Sequence, residues 1–261
     1  MPTVQHAEKQ LFLKVVYYGT GMCGKTTNLK YLHGVTRPEY RGKLLSVDTV
    51  EDRTLFFDLM PVELGSFKGY SVRLHLCTVP GQEAFHNTRR LILRGADGVV
   101  FVADSQRDML LANQRSMVSL RVNLHRHGLD FSQLPMVVQY NKRDLPNIMD
   151  VGELRRALGV APGVRQLEAS ASVGYGVSST LKAIISQALE AVADPRALPE
   201  GRSASIIPGV RASMMPQAAP PISGFQVQTA RRGQLVFPRP AAVPTFAEDE
   251  QTAPMPLANV S

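Results

Sequence analysis

The sequence predicts an α/β fold in which a mainly parallel, six-stranded sheet carries helices on both faces. Strand-like apolar segments alternate along the chain with segments of helical period, and this alternation is typical of parallel sheets. Residues 98–103 form a short run of apolar residues, as expected of a parallel strand buried on both faces. In such sheets ligands bind beyond the carboxyl ends of the strands, so the chemistry is expected in the loops that follow them.

The predicted elements occupy the first three quarters of the chain. The strands are expected at residues 11–18, 54–60, 72–79, 98–103, 135–140 and 164–169. The helices are expected at residues 26–33, 109–126, 151–158 and 177–192. Along residues 72–79 the apolar side chains alternate with Arg73, His75 and Cys77, which predicts one solvent-facing side for that strand.

The composition changes near residue 194. Residues 195–261 contain 11 of the 18 prolines and no lysine, and proline pairs interrupt helices and central strands. We therefore expect a folded domain over residues 1–194 and a Pro-rich, disordered tail over residues 195–261.

Composition also limits the partners and the compartment. The only cysteines, Cys23 and Cys77, are too far apart for a zinc pair, and they suit a reducing cytoplasm. No segment resembles a secretion signal, a membrane span or a lipid-anchor signal, so no intrinsic membrane anchor is expected. The net charge of +7 comes from scattered residues. Without a recognisable binding module, it does not indicate a nucleic-acid partner.

Residues 19–26 read Gly-Thr-Gly-Met-Cys-Gly-Lys-Thr and match the phosphate loop of P-loop NTPases. The motif follows a predicted strand and opens a predicted helix, as it must. Backbone N–H groups and the helix start would bind phosphates, Lys25 would contact the β- and γ-phosphates, and the Thr26 hydroxyl would bind Mg²⁺. The predicted nucleotide-binding residues of this segment are Gly19, Gly21, Met22, Cys23, Gly24, Lys25, Thr26 and Thr27.

Cys23 has two interpretations. Its place beside Lys25 and a helix start would lower a thiol pKa and allow a redox switch. Alternatively, it is a small side chain that fills space beneath the loop.

Residues 141–144 read Asn-Lys-Arg-Asp and follow a predicted strand. The Asp144 carboxylate can accept hydrogen bonds from N1–H and the 2-amino group of guanine, donors that adenine lacks. Asn141 can tie neighbouring loops together, and the Lys142 stem can lie along the base. Ser170 and Ala171 follow the last predicted strand, where a backbone N–H would meet the guanine O6.

These motifs together resemble the small Ras-like GTPases, and more closely the bacterial gliding-motility and cell-polarity GTPases of the MglA type. The closer match lies in residues 21–28, 52–58, 78–82, 98–105 and 139–146. The resemblance implies binding of GTP and GDP with Mg²⁺ and hydrolysis of GTP, and it does not extend into the tail.

The resemblance also implies a catalytic set of Gln82 and Arg53 together with Lys25 of the phosphate loop, supported by Gly81 and Thr54. Gly81 would sense the γ-phosphate, Gln82 would orient the attacking water, and the Thr54 hydroxyl would bind Mg²⁺. Arg53 would act as an arginine finger supplied by the chain itself. The alternative for Arg53 is a surface ion pair with Glu51 or Asp52, and for Gln82 a plain loop position.

The third motif departs from the general Ras pattern, because Thr78 stands where an aspartate usually holds Mg²⁺ through water. Either the metal has fewer acidic partners, or another acid such as Asp58 or Asp52 serves. MglA-type proteins share this threonine.

Two functional hypotheses follow. In the first, the chain is a GTP-hydrolysing switch with effectors that bind the switch regions. For this switch the resemblance implies a roadblock-fold activating partner and work in the cytoplasm, with recruitment to cell poles. Arg90 and Arg94 would either bind such partners or form a solvated helix face. In the second, the chain is a GTP-binding scaffold with negligible hydrolysis that acts through its tail.

Overall fold

The computed structural model describes residues 2–47, 57–82 and 85–192 of the chain. The strands are β1 (Thr3–Gln5), β2 (Gln10–Tyr18), β3 (Leu45–Val47), β4 (Phe57–Phe67), β5 (Tyr70–Thr78), β6 (Gly98–Asp104), β7 (Met136–Asn141) and β8 (Arg165–Glu168). The helices are α1 (Lys25–Val35), α2 (His86–Leu93), α3 (Leu110–Arg126), α4 (Val151–Ala157) and α5 (Val177–Glu190).

All these strands join one sheet in the order β3–β4–β5–β2–β6–β7–β8, with β1 paired to β2. The central run from β5 to β8 is parallel, whereas β1, β3 and β4 pair antiparallel with their neighbours. The predicted fold class is confirmed. The described sheet has eight strands instead of six, because β1 and β3 span only three residues each and are too short to show a period-two pattern.

Two hydrophobic cores lie on opposite faces of the sheet. Successive residues of β2 alternate between them, so that Val15 and Tyr17 belong to one core and Val16 and Tyr18 to the other. The first core includes buried residues of α1 and α5, and the second includes residues of α2, α3 and α4. Since β2, β6 and β7 are parallel, their carboxyl ends lie at one edge of the sheet, and the loops that follow them meet there.

The predicted solvent-facing side of residues 72–79 is wrong for most of its length. His75 and Cys77 are buried, and only Arg73 remains partly exposed. The partner strand explains this, because Lys14 pairs directly with His75 and Phe12 lies 6.1 Å from its ring. Burial, with Lys14 and Arg73 close by, lowers the pKa of His75 to about 4.

The predicted helices all form, with ends that differ by a few residues. None of the helices in the described ranges is both long and apolar enough to cross a membrane. The predicted boundary at residue 194 lies outside the described residues and stays a prediction.

Candidate nucleotide site

The phosphate loop occupies residues 19–26, between the end of β2 and the first turn of α1. Gly24 has a left-handed φ of 99°, and a Cβ atom there would collide with the Asn141 side-chain nitrogen. Only glycine meets both requirements. The backbone N–H groups of this turn are therefore held at the start of a helix, where anions bind.

Lys25 lies inside the loop with 7% of its surface exposed. Its ammonium donates hydrogen bonds to the carbonyl oxygens of Gly19 at 3.0 Å and Thr20 at 2.5 Å. The positive charge is thus held against the loop backbone, where the motif predicts the terminal phosphates.

Cys23 is fully buried beneath this loop. Burial raises the pKa of its thiol, although Lys25 nearby acts in the opposite direction. A protonated, inaccessible thiol is a poor nucleophile, so the structure favours the space-filling interpretation over the redox switch.

Asn141 ties residues 141–144, which we name the base-reading loop after their predicted role, to the phosphate loop. The side chain is 1% exposed. Its amide donates to the Cys23 carbonyl at 2.8 Å, and its carbonyl oxygen accepts from the Ala171 N–H at 2.9 Å. One side chain therefore connects residue 23 with residues 141 and 171. The role of Ala171 towards the guanine O6 stays a prediction, since its N–H is directed at Asn141.

Lys142 and Asp144 complete the base-reading loop. Lys142 has a left-handed φ of 66°, and its ammonium forms an ion pair at 2.6 Å with the fully buried Asp104. Asp144 is exposed and accepts a hydrogen bond from the Ser172 hydroxyl at 3.0 Å. Hydrogen bonds from Ser170 and Ser172 lower the pKa of Asp144, so the group is an ionised acceptor at neutral pH.

A single carboxylate connects the phosphate loop with β4 and β5. Asp58 is buried and accepts hydrogen bonds from the hydroxyls of Thr26 at 2.6 Å, Ser46 at 2.8 Å and Thr78 at 3.0 Å. The Asp58 backbone N–H donates to the Thr78 hydroxyl at 2.8 Å. Two acids were candidates to replace the aspartate that is missing at position 78. Asp58 contacts Thr26, the predicted metal ligand, and Asp52 lies outside the described residues.

Gly81 lies directly against the phosphate loop. A Cβ atom on Gly81 would overlap the backbone of Gly21 and Thr20, so only glycine permits this approach. Gln82 follows on the exposed side. Arg53 and Thr54 lie outside the described residues, and their predicted roles are not tested. On α2, Arg89 is buried and Arg90 is exposed. Arg94 is exposed too, but it follows the last residue of α2, so the predicted helix face shared by Arg90 and Arg94 is wrong.

A buried polar network that the sequence did not predict lies behind the phosphate loop. The Gln139 amide nitrogen donates to Asn28 at 2.9 Å and to Thr180 at 3.0 Å, and the Asn28 amide donates to the Gly24 carbonyl at 2.9 Å. Asn28, Gln139 and Thr180 are fully buried. The available signal was a glutamine within an otherwise apolar strand, two residues before Asn141.

Comparisons with known proteins agree with this geometry. A model of the ADP-ribosylation factor family matches residues 3–194. The chain belongs to this family. The Mutual gliding-motility protein MglA of Myxococcus xanthus is 49% identical over 184 residues, which cover 70% of this chain and 94% of MglA.

More distant relatives are eukaryotic. Ras-related protein Rab-27B of Rattus norvegicus is 25% identical over 177 residues, covering 66% of this chain and 78% of the relative. ADP-ribosylation factor-like protein 4D of Mus musculus is 30% identical over 151 residues, which cover 57% of this chain and 66% of the relative. The resemblance to MglA-type small GTPases is confirmed, and the chain is a GTP-binding switch protein that hydrolyses GTP to GDP and phosphate.

Proposed function

We propose that this chain is a switch for gliding motility or cell polarity whose active state is set by contact between Gly81 and the γ-phosphate. The observation that supports this proposal is the approach of the Gly81 backbone to Gly21 of the phosphate loop. A segment so close to the loop meets a γ-phosphate when GTP binds and loses it after hydrolysis, which is how GTPases reorder their switch segments.

In this proposal, different loops bind the phosphates and the base of the nucleotide. The residues of the phosphate loop, from Gly19 to Thr27, would bind the phosphates. Asp144 would accept from N1–H and the 2-amino group of guanine, and the stem of Lys142, anchored on Asp104, would lie along the base. Ser170 and Ala171 would border the guanine O6.

The residues present fit Mg²⁺, which prefers hydroxyl and carboxylate oxygens, phosphates and water. Thr26 and Thr54 would supply hydroxyl ligands. Asp58 would orient the Thr26 oxygen, with which it shares a 2.6 Å hydrogen bond, and would supply the negative charge that Thr78 lacks. When bound, the metal would neutralise charge on the β- and γ-phosphates.

For hydrolysis, the Gln82 amide would orient the attacking water and the Arg53 guanidinium would neutralise charge that develops on the phosphates. Such an arginine contributes about 10³- to 10⁵-fold to the rate. Arg53 would still have to be placed correctly at the phosphates, and a regulator that places it would speed hydrolysis.

The partners are proposed from the relationship to MglA. A roadblock-fold protein would stimulate hydrolysis, effectors would bind the switch regions around Thr54 and Gln82, and recruitment from the cytoplasm to a cell pole would follow the GTP state.

Single-turnover hydrolysis by the full chain tests this proposal. We expect GTP, but not ATP, to be cleaved. Arg53→Ala should slow cleavage by about 10³- to 10⁵-fold. Arg53→Lys should be nearly as slow because a lysine lacks the planar fork, and Arg165→Ala on β8 should change nothing. GTP bound tightly and cleaved equally slowly by the chain and by its Arg53→Ala and Gln82→Leu variants would refute the catalytic set and favour the scaffold.

A further inference from the structure

Helices α2 and α3 present a partly apolar surface beside the nucleotide site, which we name the α2–α3 face. Its apolar members are Leu91 of α2, at 42% exposure, and Leu111, Val118 and Val122 of α3, at 57%, 59% and 44%. The three α3 residues and Arg115 follow the spacing i, i+4, i+7 and i+11, so they share one side of the helix. Exposed apolar side chains that group on one side of a helix mark a candidate binding surface.

A cavity of about 400 Å³ opens at one end of this face. Its walls include Thr20 of the phosphate loop, Gly81, Arg89 of α2, and Leu111 and Arg115 of α3. The cavity therefore joins the α2–α3 face to the segment that lies against the phosphates. Its volume is large enough for an aromatic side chain.

The exposed arginines Arg90 and Arg115 make the α2–α3 face basic. Helices α2 and α3 contain five arginines and neither Asp nor Glu. Arg90 and Arg115 are exposed, and Arg89 is buried in the cavity wall. Asp108 is the one acid among the described residues that line the cavity. A matching ligand would combine apolar side chains with several carboxylates.

The same chain supplies a segment of this chemistry. Glu248, Asp249 and Glu250 are the only three consecutive acids in the sequence, with Phe246 before them and Met255 and Leu257 after them. We propose that residues 246–257 dock on the α2–α3 face of their own domain, with Phe246 in the cavity and the acids on the arginines. This segment lies beyond the residues that match the family model, so the contact would be a property of this chain.

The connection is long enough for such docking. About fifty residues separate Val192, the last described residue, from Phe246. A random coil of that length spans about 40 Å on average, whereas the radius of gyration of a folded domain of this size is about 16 Å. Tethering at this distance keeps the segment at an effective concentration on the order of millimolar, so a weak contact is sufficient for the segment to dock.

Docking at this place would connect the tail with the switch. The cavity borders Gly81 and Thr20, so a side chain inside it would limit the movement of the Gly81 segment. The docked segment would also compete with any partner that binds α2 or α3.

Hydrogen exchange of the full chain tests the docking. We expect peptides from α2 and the first turns of α3 to exchange roughly five-fold faster when Glu248→Gln, Asp249→Asn and Glu250→Gln are combined, because release of a bound segment removes its protection. Phe246→Ala should act in the same direction. Glu200→Gln, which neutralises the remaining tail acid between Pro195 and the acidic run, is the matched control and should change nothing. Equal exchange in all four proteins would overturn the proposal.

A charge exchange identifies the occupant. Arg115→Glu should speed exchange of α3, and adding Asp249→Arg to it should restore protection, since both residues then attract again. Melting temperatures would confirm that these proteins fold. Protection that rises with protein concentration between 1 and 100 μM, as order-of-magnitude limits, would show that a second copy occupies the face, and failure of the charge exchange to restore protection would also overturn docking within one chain.

Discussion

The two sides of the nucleotide site are held in different ways. On the base-reading side, buried amides bind the phosphate loop through side-chain hydrogen bonds, with Asn141 on the Cys23 carbonyl and Gln139 acting through Asn28 on Gly24. On the proposed catalytic side, Gly81 approaches Gly21 by backbone packing, and the carboxylate of Asp58 on β4 accepts hydrogen bonds from three hydroxyls. The loop proposed to recognise the base is therefore fixed by buried side chains, whereas the segment proposed to sense the γ-phosphate meets the phosphate loop through backbone contact at Gly81.

The strongest way to break this contrast is Asn141→Ala. The substitution leaves the buried Cys23 carbonyl and Ala171 N–H without their partners, at about 1–3 kcal/mol each. We expect the affinity for GDP to fall by roughly 10²- to 10³-fold, measured by displacement of a fluorescent GDP analogue. The exposed Asn87→Ala on α2 is the matched control, and an unchanged affinity in Asn141→Ala would contradict a fixed base-reading side.

On the catalytic side, the corresponding change is Asp58→Asn, which keeps the shape but removes the charge. We expect the Mg²⁺ concentration that retains bound GTP to rise by about 10- to 100-fold, as for other groups that orient metal ligands. The measurement is nucleotide dissociation against Mg²⁺ concentration, with Glu63→Gln on the same strand as control. An unaltered Mg²⁺ requirement would mean that another acid, such as Asp52, holds this role.

The buried network of Asn28, Gln139 and Thr180 behind the phosphate loop allows a weaker test of how firmly the base-reading side is held. Gln139→Met keeps the volume but removes the hydrogen bonds to Asn28 and Thr180, so GDP should dissociate about ten-fold faster. Thr180→Val removes only the α5 end of the network and should have a smaller effect, because the bond between Gln139 and Asn28 remains. If both variants merely lowered the melting temperature and left the dissociation rate unchanged, the network would serve the core rather than the loop.

The smallest effect is expected at Cys23, which is buried beneath the phosphate loop. Burial raises the pKa of Cys23, and it raises that of Cys77 to about 11, so burial favours the protonated form of both thiols and also shields them from reagents. We expect negligible alkylation of either residue by iodoacetamide at about pH 8, while the denatured chain reacts at both, as read by mass spectrometry. Rapid labelling of Cys23 in the native chain would restore the redox interpretation.

The parts of this molecule that could be predicted are those with a strong local signal. The buried run at β6, the phosphate loop and the base-reading loop follow from contiguous patterns. The burial of His75 did not, since it depends on Phe12 and Lys14 of the neighbouring strand. The bond between Asn28 and Gln139 joins residues 111 positions apart, and no local pattern pairs them. Asp58 was one of two candidates in the sequence, and no local pattern predicts its hydrogen bond to the Thr26 hydroxyl, 32 positions away.

Calorimetric titration of the full chain with GDP and ATP in the presence of Mg²⁺ tests the central claim most directly, together with an Asp144→Asn variant titrated with XDP. The account predicts that GDP binds at least about 10³-fold more tightly than ATP, because adenine leaves the Asp144 carboxylate unpaired. It also predicts that Asp144→Asn prefers XDP to GDP, since xanthine offers a carbonyl acceptor where guanine has its 2-amino donor. Equal affinity for GDP and ATP, or an Asp144→Asn variant that still prefers GDP, would contradict it.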